Sequence, residues 1–350
     1  MILREINFST GPVALHDDVK LALIQDPVSH RSDKFQKLLI NTGRLYQDHF
    51  HVKEVYFLTG SGTTANEAML QQVKMLNKPG LVLSNGEFGN RLIKQAAIND
   101  IRFLSYKKSA GKYFDYPEIE QLLSRGEIKW VLFTHCETST GIINDLKLIQ
   151  DICKKYHALC FADCISSVGA FEINLSDIAM ATASSGKGLC GIAGIAIIFS
   201  NIKPITNHKI PSCLDLTNYA SDQVPFTISS GLLNALYTGS KLKLQRENYE
   251  NIARMSRQIS DMLDYYRYET FNAQSHVFTI ISAHTDEVQW LITQLSKHAL
   301  IISYKSEYLQ KNNWLQIALF SIFNKHEMQE GVDRFNSLLS CKVLSQVPII

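Results

Sequence analysis

The numbers of basic and acidic residues in the sequence are nearly equal. It contains 35 basic and 33 acidic residues among 350, which gives a formal net charge of +2. A protein that binds nucleic acid needs a basic surplus on one face, because it must neutralise phosphates. We therefore expect no nucleic-acid partner. Internal repeats and low-complexity segments are absent as well.

Long apolar runs and paired cysteines are also missing. The longest apolar runs, such as "GIAGIAIIF" at 191–199, are too short to span a bilayer, and "MILREINFST" lacks the long apolar core of a signal peptide. The seven cysteines are odd in number and show neither a CxxC pair nor zinc-ligand spacing. These absences predict a soluble, cytoplasmic protein with no membrane partner and no metal site.

Up to about residue 200, short apolar runs alternate with helical patterns. The runs "EVYFLTG", "GLVLSNG", "WVLFTH", "LCFADC" and "GIAIIF" are apolar almost throughout. Strands of this kind, separated by helices, are typical of a mostly parallel sheet that is covered on both faces. The pattern predicts a three-layer α/β domain.

The pattern changes after about residue 229. A proline-free stretch to about residue 266 predicts a long helix, broken near Gly239. Beyond it, "HVFTIISA", "ALIISYK" and "WLQIALF" resemble strands, and helices are expected at about 286–297 and 325–339. We predict a large domain at 1–245, with an N-terminal arm at 1–15, and a smaller α+β domain at 246–350.

One lysine stands alone in a small, apolar stretch. In "ATASSGKGLCGIAGIAIIF" at 181–199, Lys187 is the single charged residue. A lysine in an apolar pocket has a lowered pKa and becomes a nucleophilic amine. The alternative is a buried stem whose charged head reaches water. Lys187 by itself does not decide between them.

Three other segments carry polar groups suited to a ligand. "GSGTTANEA" at 60–68 opens a helix and predicts either an anion site or an ordinary Ser/Thr cap. Asp163 ends an apolar strand, where α/β sheets place ligands, but it also fits a helix cap. "HCETSTG" at 135–141 adds hydroxyls at another strand end. Neither a dinucleotide fingerprint nor a Walker loop fits, because Ala65, Ala181 and Gly188 stand at key positions.

Together these four segments indicate a pyridoxal 5′-phosphate site. That cofactor needs a lysine for its aldehyde, an anion cradle for its phosphate and an acidic partner for its ring nitrogen. Lys187, the 60–68 segment and Asp163 supply these three groups.

On these motifs the chain resembles the class V aminotransferases of fold type I, which use pyridoxal phosphate. It is most similar to the 2-aminoethylphosphonate:pyruvate and alanine:glyoxylate (serine:pyruvate) aminotransferases. The likeness runs in order from "FSTGP" at 8–12, through "GSGTTANEAML", "LSNGEFGNR", "HCETSTG", "ADCISSVGA" and "SSGKGLCGIAG", to "FTIS" at 226–229. It covers about two thirds of the chain.

The resemblance implies a role for each matching residue. Lys187 would form the Schiff base and Asp163 would pair with the ring nitrogen, and these two are the predicted catalytic residues. Ser185 lies among small residues that leave room for a flat cofactor. The other predicted cofactor contacts are Ser61, Gly62 and Thr63 at the phosphate, Phe88 and Ile165 on the two ring faces, Thr138 near the phenolic oxygen, and Thr227 from the partner subunit of a homodimer with shared active sites.

Three positions depart from the family's pattern. Gly186 replaces a glutamine or asparagine, and Val224 replaces an aromatic residue. Gln316 stands where the family carries the arginine that grips the substrate carboxylate, and a neutral amide cannot replace a guanidinium. "SHRSDKF" at 29–35 resembles the phosphate-gripping segment of phosphoserine aminotransferases, which makes His30 and Arg31 candidate substrate contacts.

We therefore expect a homodimeric, cytoplasmic aminotransferase. It would move an amino group from a small amino acid, or an aminophosphonate-like donor, to an α-keto acid. Three alternatives remain open. These are a phosphoserine-type aminotransferase that uses His30 and Arg31, a lyase or racemase on the same scaffold, and a non-catalytic protein with this fold.

Overall fold

A computed structural model describes residues 4–206, 209–220, 224–271, 275–282, 285–321 and 325–345. Helices and strands alternate through its first two hundred residues. The elements of this part are β1 (Ile6–Asn7), α1 (Asp17–Leu23), α2 (Asp33–Phe50), β2 (Glu54–Gly60), α3 (Gly62–Met75), β3 (Gly80–Ser84), α4 (Glu87–Ile98), β4 (Phe103–Lys107), α5 (Tyr116–Ser124), β5 (Trp130–Thr134), β6 (Cys136–Glu137), β7 (Ile142–Ile143), α6 (Leu146–Lys155), β8 (Leu159–Asp163), β9 (Met180–Ser184) and β10 (Gly194–Ser200).

Seven of these strands form one sheet, in the order β2-β10-β9-β8-β5-β3-β4. All the pairings from β9 to β4 are parallel, whereas β10 is antiparallel to both of its neighbours. The predicted mostly parallel sheet is therefore confirmed. Its parallel strands bring the ends of β5 and β8 to the same edge.

Each face of this sheet is covered by its own apolar core. Along β3, Leu81 and Leu83 belong to one buried cluster, and Val82 belongs to another. Along β5, Phe133 and Trp130 likewise fall into opposite clusters. Side chains of a strand alternate between faces, so a strand buried on both sides must be apolar at every position. This is why the runs in the sequence are continuously apolar, and why the domain has three layers.

The remaining part of the chain builds a second core around a small antiparallel sheet. After a short 3₁₀ turn (Leu216–Tyr219), its elements are α7 (Ser230–Lys243), α8 (Arg246–Tyr265), β11 (Glu269–Thr270), β12 (Val277–Ile281), α9 (Thr285–Lys297), β13 (Leu300–Ile301), α10 (Glu307–Asn312), β14 (Trp314–Ala318) and α11 (Lys325–Ser345). Strands β11, β12 and β14 form one sheet, and β1 pairs with β13.

The N-terminal arm reaches this second core. Ile6 and Phe8 pack among the buried residues of helices α8, α9 and α11. The arm then turns back to the large sheet, where Thr10 meets Lys187. The division at 245/246 stays a prediction.

The long helix expected after residue 229 is interrupted, but not at Gly239. The break falls between Lys243 and Arg246, at the end of α7. A Cβ on Gly239 would lie 2.6 Å from the carbonyl oxygen of Cys190 and 2.9 Å from that of Leu189. This glycine therefore permits close packing of α7 against the loop that carries Lys187, and it does not end the helix.

Helices α9 and α11 agree with the two helices expected in the C-terminal part, and α11 extends beyond the predicted end. Only Leu300–Ile301 of "ALIISYK" forms a strand. In the part of the chain that the structure describes, no helix combines the length and the apolar character needed to cross a membrane.

Candidate active site

Lys187 lies in the loop between β9 and β10, at the edge of the large sheet. Its Nζ donates a hydrogen bond of 2.5 Å to the carbonyl oxygen of Thr10. Burial lowers the pKa of Lys187 to about 8, and the charge of Arg91 acts in the same direction, whereas Cys136 and Asp163 oppose it. A substantial fraction of this amine is therefore neutral near pH 7 to 8.

Asp163 ends β8 and is held on both carboxylate oxygens. Oδ2 accepts from the amide of Asn66 at 2.8 Å, and Oδ1 accepts from the backbone N–H of Ile165 at 3.0 Å. Asn66 in turn accepts from Thr182 at 2.6 Å. Burial raises the pKa of Asp163, while these two hydrogen bonds and the nearby Lys187 lower it. The carboxylate is thus fixed in orientation.

The first residues of α3 line the cavity with groups that could hold an anion. The side chains of Ser61 and Thr63 are exposed and line the same cavity as Lys187. Thr64, by contrast, accepts a hydrogen bond from the backbone N–H of Ser61 at 3.1 Å and so completes the helix cap. Free backbone N–H groups in a first helical turn attract negative charge.

Phe88 lies in the first turn of α4, and a buried carboxylate holds this turn in place. Glu137 accepts hydrogen bonds from the backbone N–H groups of Phe88 and Gly89 at 3.2 and 2.9 Å, and from the Ser139 hydroxyl at 2.5 Å. A carboxylate at a helix N-terminus is favoured by the helix dipole. Glu137 therefore holds the backbone of the turn that carries Phe88.

Two more predicted residues complete the walls. The Thr138 hydroxyl donates to the Ser166 hydroxyl at 2.5 Å, and Ile165 follows Asp163 directly. The cavity has a volume of about 520 Å³. It brings together eight of the predicted residues, namely Lys187, Asp163, Ser61, Gly62, Thr63, Phe88, Thr138 and Ile165.

This set of donors fits pyridoxal phosphate. An anion site at one end, a fixed carboxylate and an amine with a lowered pKa share one cavity, and apolar side chains line its walls. The cavity size lies within the range of cofactor sites.

Five predicted residues do not line this cavity. Ser185 is buried, and its hydroxyl donates to the carbonyl of Ile192 at 2.5 Å, which closes the loop around Lys187. Gln316 is fully buried in β14. Arg31 and Thr227 are exposed and His30 is half-buried, all outside the cavity of their own chain.

The structure adds residues that sequence reasoning missed. Asn66 orients Asp163, and Thr10 contacts Lys187. Cys136 and Arg91 also line the cavity. The sequence could have indicated Asn66, because it follows Thr63 by about one helical turn in "GSGTTANEA" and so lies on the same side of the helix. Arg91 stands in the quoted motif "LSNGEFGNR", three residues after Phe88.

Comparisons with known proteins point to the same class of enzyme. A sequence profile for class V aminotransferases matches residues 21–213. A protein named soluble hydrogenase 42 kDa subunit, from Anabaena cylindrica, is 30% identical over 69% of this chain and 67% of its own length. A 2-aminoethylphosphonate–pyruvate transaminase from Bacillus mycoides is 31% identical over 41% of this chain and 40% of its own length.

A solved structure shares the fold over nearly the whole chain. It is that of a ureidoglycine–glyoxylate aminotransferase from Bacillus subtilis, with a TM-score of 0.85 and 20% identity, covering 97% of this chain and 94% of the other. The fold and the site define a pyridoxal-phosphate-dependent enzyme of fold type I. The chain belongs to the class V aminotransferase family. The predicted fold class, enzyme class and cofactor are thereby confirmed.

Proposed function

We propose that this enzyme transfers an amino group from a small amino acid or aminophosphonate to an α-keto acid, with Lys187 and Asp163 as its catalytic residues. The observation that carries the proposal is that both residues line one cavity with the α3 anion site. Pyridoxal phosphate, when bound, supplies a conjugated ring that takes up the electron pair released as the substrate's Cα–H bond breaks.

Each side chain has a distinct task in this proposal. Ser61, Thr63 and the first backbone N–H groups of α3 would bind the phosphate. Asp163, held by Asn66, would keep the ring nitrogen protonated, which makes the ring a better acceptor of electrons. Phe88 and Ile165 would pack on the two ring faces.

Lys187 would attach the cofactor and afterwards move the proton. A general base works best when its pKa lies near the working pH, because both of its protonation states are then populated. The Lys187 pKa of about 8 satisfies this condition. The carbonyl of Thr10 accepts a hydrogen bond from this amine at 2.5 Å and directs it toward the N-terminal arm.

Lys187→Ala tests the assignment. Purified protein loaded with pyridoxal phosphate should show the visible absorbance of a lysine-linked cofactor, and the variant should lose it. Borohydride reduction followed by mass spectrometry should place the cofactor on the Lys187 peptide. Lys241→Ala, at an exposed position of α7, is the matched control and should keep the absorbance. An absorbance that survives in Lys187→Ala would show that another lysine is used.

We also propose a homodimer in which Thr227 of one chain serves the site of the other. Thr227 is exposed and does not line the cavity of its own chain, although Thr59 donates to its carbonyl at 3.0 Å. Sedimentation would test the oligomeric state, and a monomer that retains full activity would refute it. Arg31 is exposed as well and does not line the cavity of Lys187, so the described part of one chain does not favour the phosphoserine-type alternative.

A cytoplasmic location is part of the same proposal. It is supported by the six cysteines whose side chains the structure describes, none of which is in a disulfide bond. Five of these six are buried, where a thiol behaves as a small apolar group. Free thiols are typical of a reducing compartment. Fractionation of the native cells would test the location.

A further inference from the structure

Gln316 cannot receive the anionic group of a substrate, because its own amide is fully engaged. Its Nε2 donates to the carbonyl of Thr138 at 2.5 Å and to the hydroxyl of Thr279 at 2.8 Å. Its Oε1 accepts from the hydroxyl of Tyr308 at 2.7 Å. The side chain is 0% exposed. Both amide donors are therefore used to join β14 to its surroundings, and an anion must be bound elsewhere.

Arg91 is the basic residue that the fold brings to the reaction centre. It lies on α4 and lines the cavity that contains Lys187. In the described ranges its guanidinium has no hydrogen bond and no ion pair, and its Cζ lies 4.8 Å from the centroid of the Phe88 ring. Its positive charge lowers the pKa of both Lys187 and Asp163, so it acts across this cavity.

A second, outer cavity adjoins the first and shares Arg91 with it. This outer cavity has a volume of about 920 Å³ and also shares Thr10–Pro12 and Phe88 with the inner one. Four basic and two acidic side chains line it, which leaves a positive balance in this second cavity. They are Arg91, Lys94, Lys305 and Lys311, against Glu87 and Glu307. An anionic group in either cavity can therefore lie near Arg91, whereas Lys187 lines only the first.

We propose that Arg91 binds the anionic group of the amino donor, a carboxylate or a phosphonate, in place of the arginine that is absent at position 316. The inference rests on the aminotransferase function proposed above. A guanidinium presents a planar fork that matches both anions, and packing on the Phe88 ring limits its orientations. Binding there holds the amine end of the donor in the cavity of Lys187.

The test compares two donors that carry an anionic group with one that carries none. Holoenzyme is mixed with L-alanine, with 2-aminoethylphosphonate or with uncharged-tail n-propylamine, and conversion of the cofactor is followed by absorbance. Arg91→Gln should raise the half-saturating concentration of the anionic donors by about 10- to 100-fold, as expected when charge-assisted hydrogen bonds are lost. The half-saturating concentration of n-propylamine should change much less, because this donor offers no anion to Arg91. Arg91→Lys should recover part of the loss, because it keeps the charge without the fork.

The control is Arg102→Gln, the same substitution at an exposed arginine outside both cavities. This variant should behave as the unsubstituted enzyme. The donor that depends on Arg91 identifies the anion, since L-alanine carries a carboxylate and 2-aminoethylphosphonate a phosphonate. An unchanged half-saturating concentration for both, or an equal loss with n-propylamine, would overturn the proposal.

A binding measurement separates this inference from the proposed function. Acetate and methylphosphonate, which cannot react, are titrated into the holoenzyme while the cofactor's absorbance is recorded. At least one anion should perturb it, and Arg91→Gln should weaken that response about 10-fold or more. Equal responses, or none in the unsubstituted protein, refute the role of Arg91. If the anion response depends on Arg91 but no donor converts the cofactor, only the transamination proposal fails.

Discussion

The amine of Lys187 should titrate far below an ordinary lysine in the cofactor-free protein. Burial moves its pKa from 10.5 to about 8. An amine is neutral above its pKa, so at pH 7 the neutral fraction rises about 300-fold, from roughly 0.03% to roughly 10%. Reactivity toward an acylating reagent should therefore increase up to about pH 8 and level off above it, because only the neutral amine reacts.

Competitive acetylation with trace acetic anhydride measures this directly. Samples are labelled across a series of pH values, and mass spectrometry compares Lys187 with the exposed Lys241 in the same tube. Asp163→Asn should lower the midpoint further, because it removes a negative charge that raises the pKa of Lys187. Arg91→Gln should raise the midpoint for the opposite reason. A midpoint near 10.5 in the unsubstituted protein would refute the argument from burial.

Three further substitutions test the supports of the site. Asn66→Ala removes the 2.8 Å hydrogen bond to Asp163 and should weaken cofactor binding about 10-fold in an absorbance titration; unchanged affinity would contradict the positioning role. Glu137→Gln replaces a buried carboxylate at the start of α4 and should lower the free energy of unfolding in urea by about 1.5–3 kcal/mol, whereas an unchanged midpoint would count against it. Gly62→Ala would place its Cβ 2.5 Å from Cδ1 of Ile165 and should impair cofactor binding without loss of folding, as judged by thermal melting; normal loading would show that Ile165 moves freely.

Much of the site was predictable because its signals are local in the chain. Asp163 follows an apolar strand, and parallel strands end at a common edge, so its meeting with the "HCETSTG" segment follows from the strand pattern. The helix that begins at Gly62 has a Ser/Thr start signal, and the anion site depends on that start. These inferences need only the order of elements.

Other residues could not be placed from the sequence, because their role depends on contacts between distant segments. Ser185 stands two residues before Lys187 among small residues, yet its hydroxyl donates to the carbonyl of Ile192 and closes the loop instead. Gly239 suggests a helix break in the sequence, but in the structure it lets helix α7 pack closely against the backbone of Cys190. Neither partner can be found from spacing alone.

The sequence alone determined the alternation of strands and helices and the family, and it singled out Lys187 as the proposed reactive lysine, since buried strands, helix starts and an isolated lysine each leave a pattern in consecutive residues. Only the tertiary structure decided that the Gln316 amide is closed to a ligand and that Arg91 lines the cavity of Lys187. The side-chain amide of Gln316 is hydrogen-bonded to three residues from separate segments. Arg91 lines the cavity from α4, the helix whose first turn is hydrogen-bonded to Glu137. Both results depend on packing between elements far apart in the chain, where side-chain hydrogen bonds leave no periodic trace in the sequence.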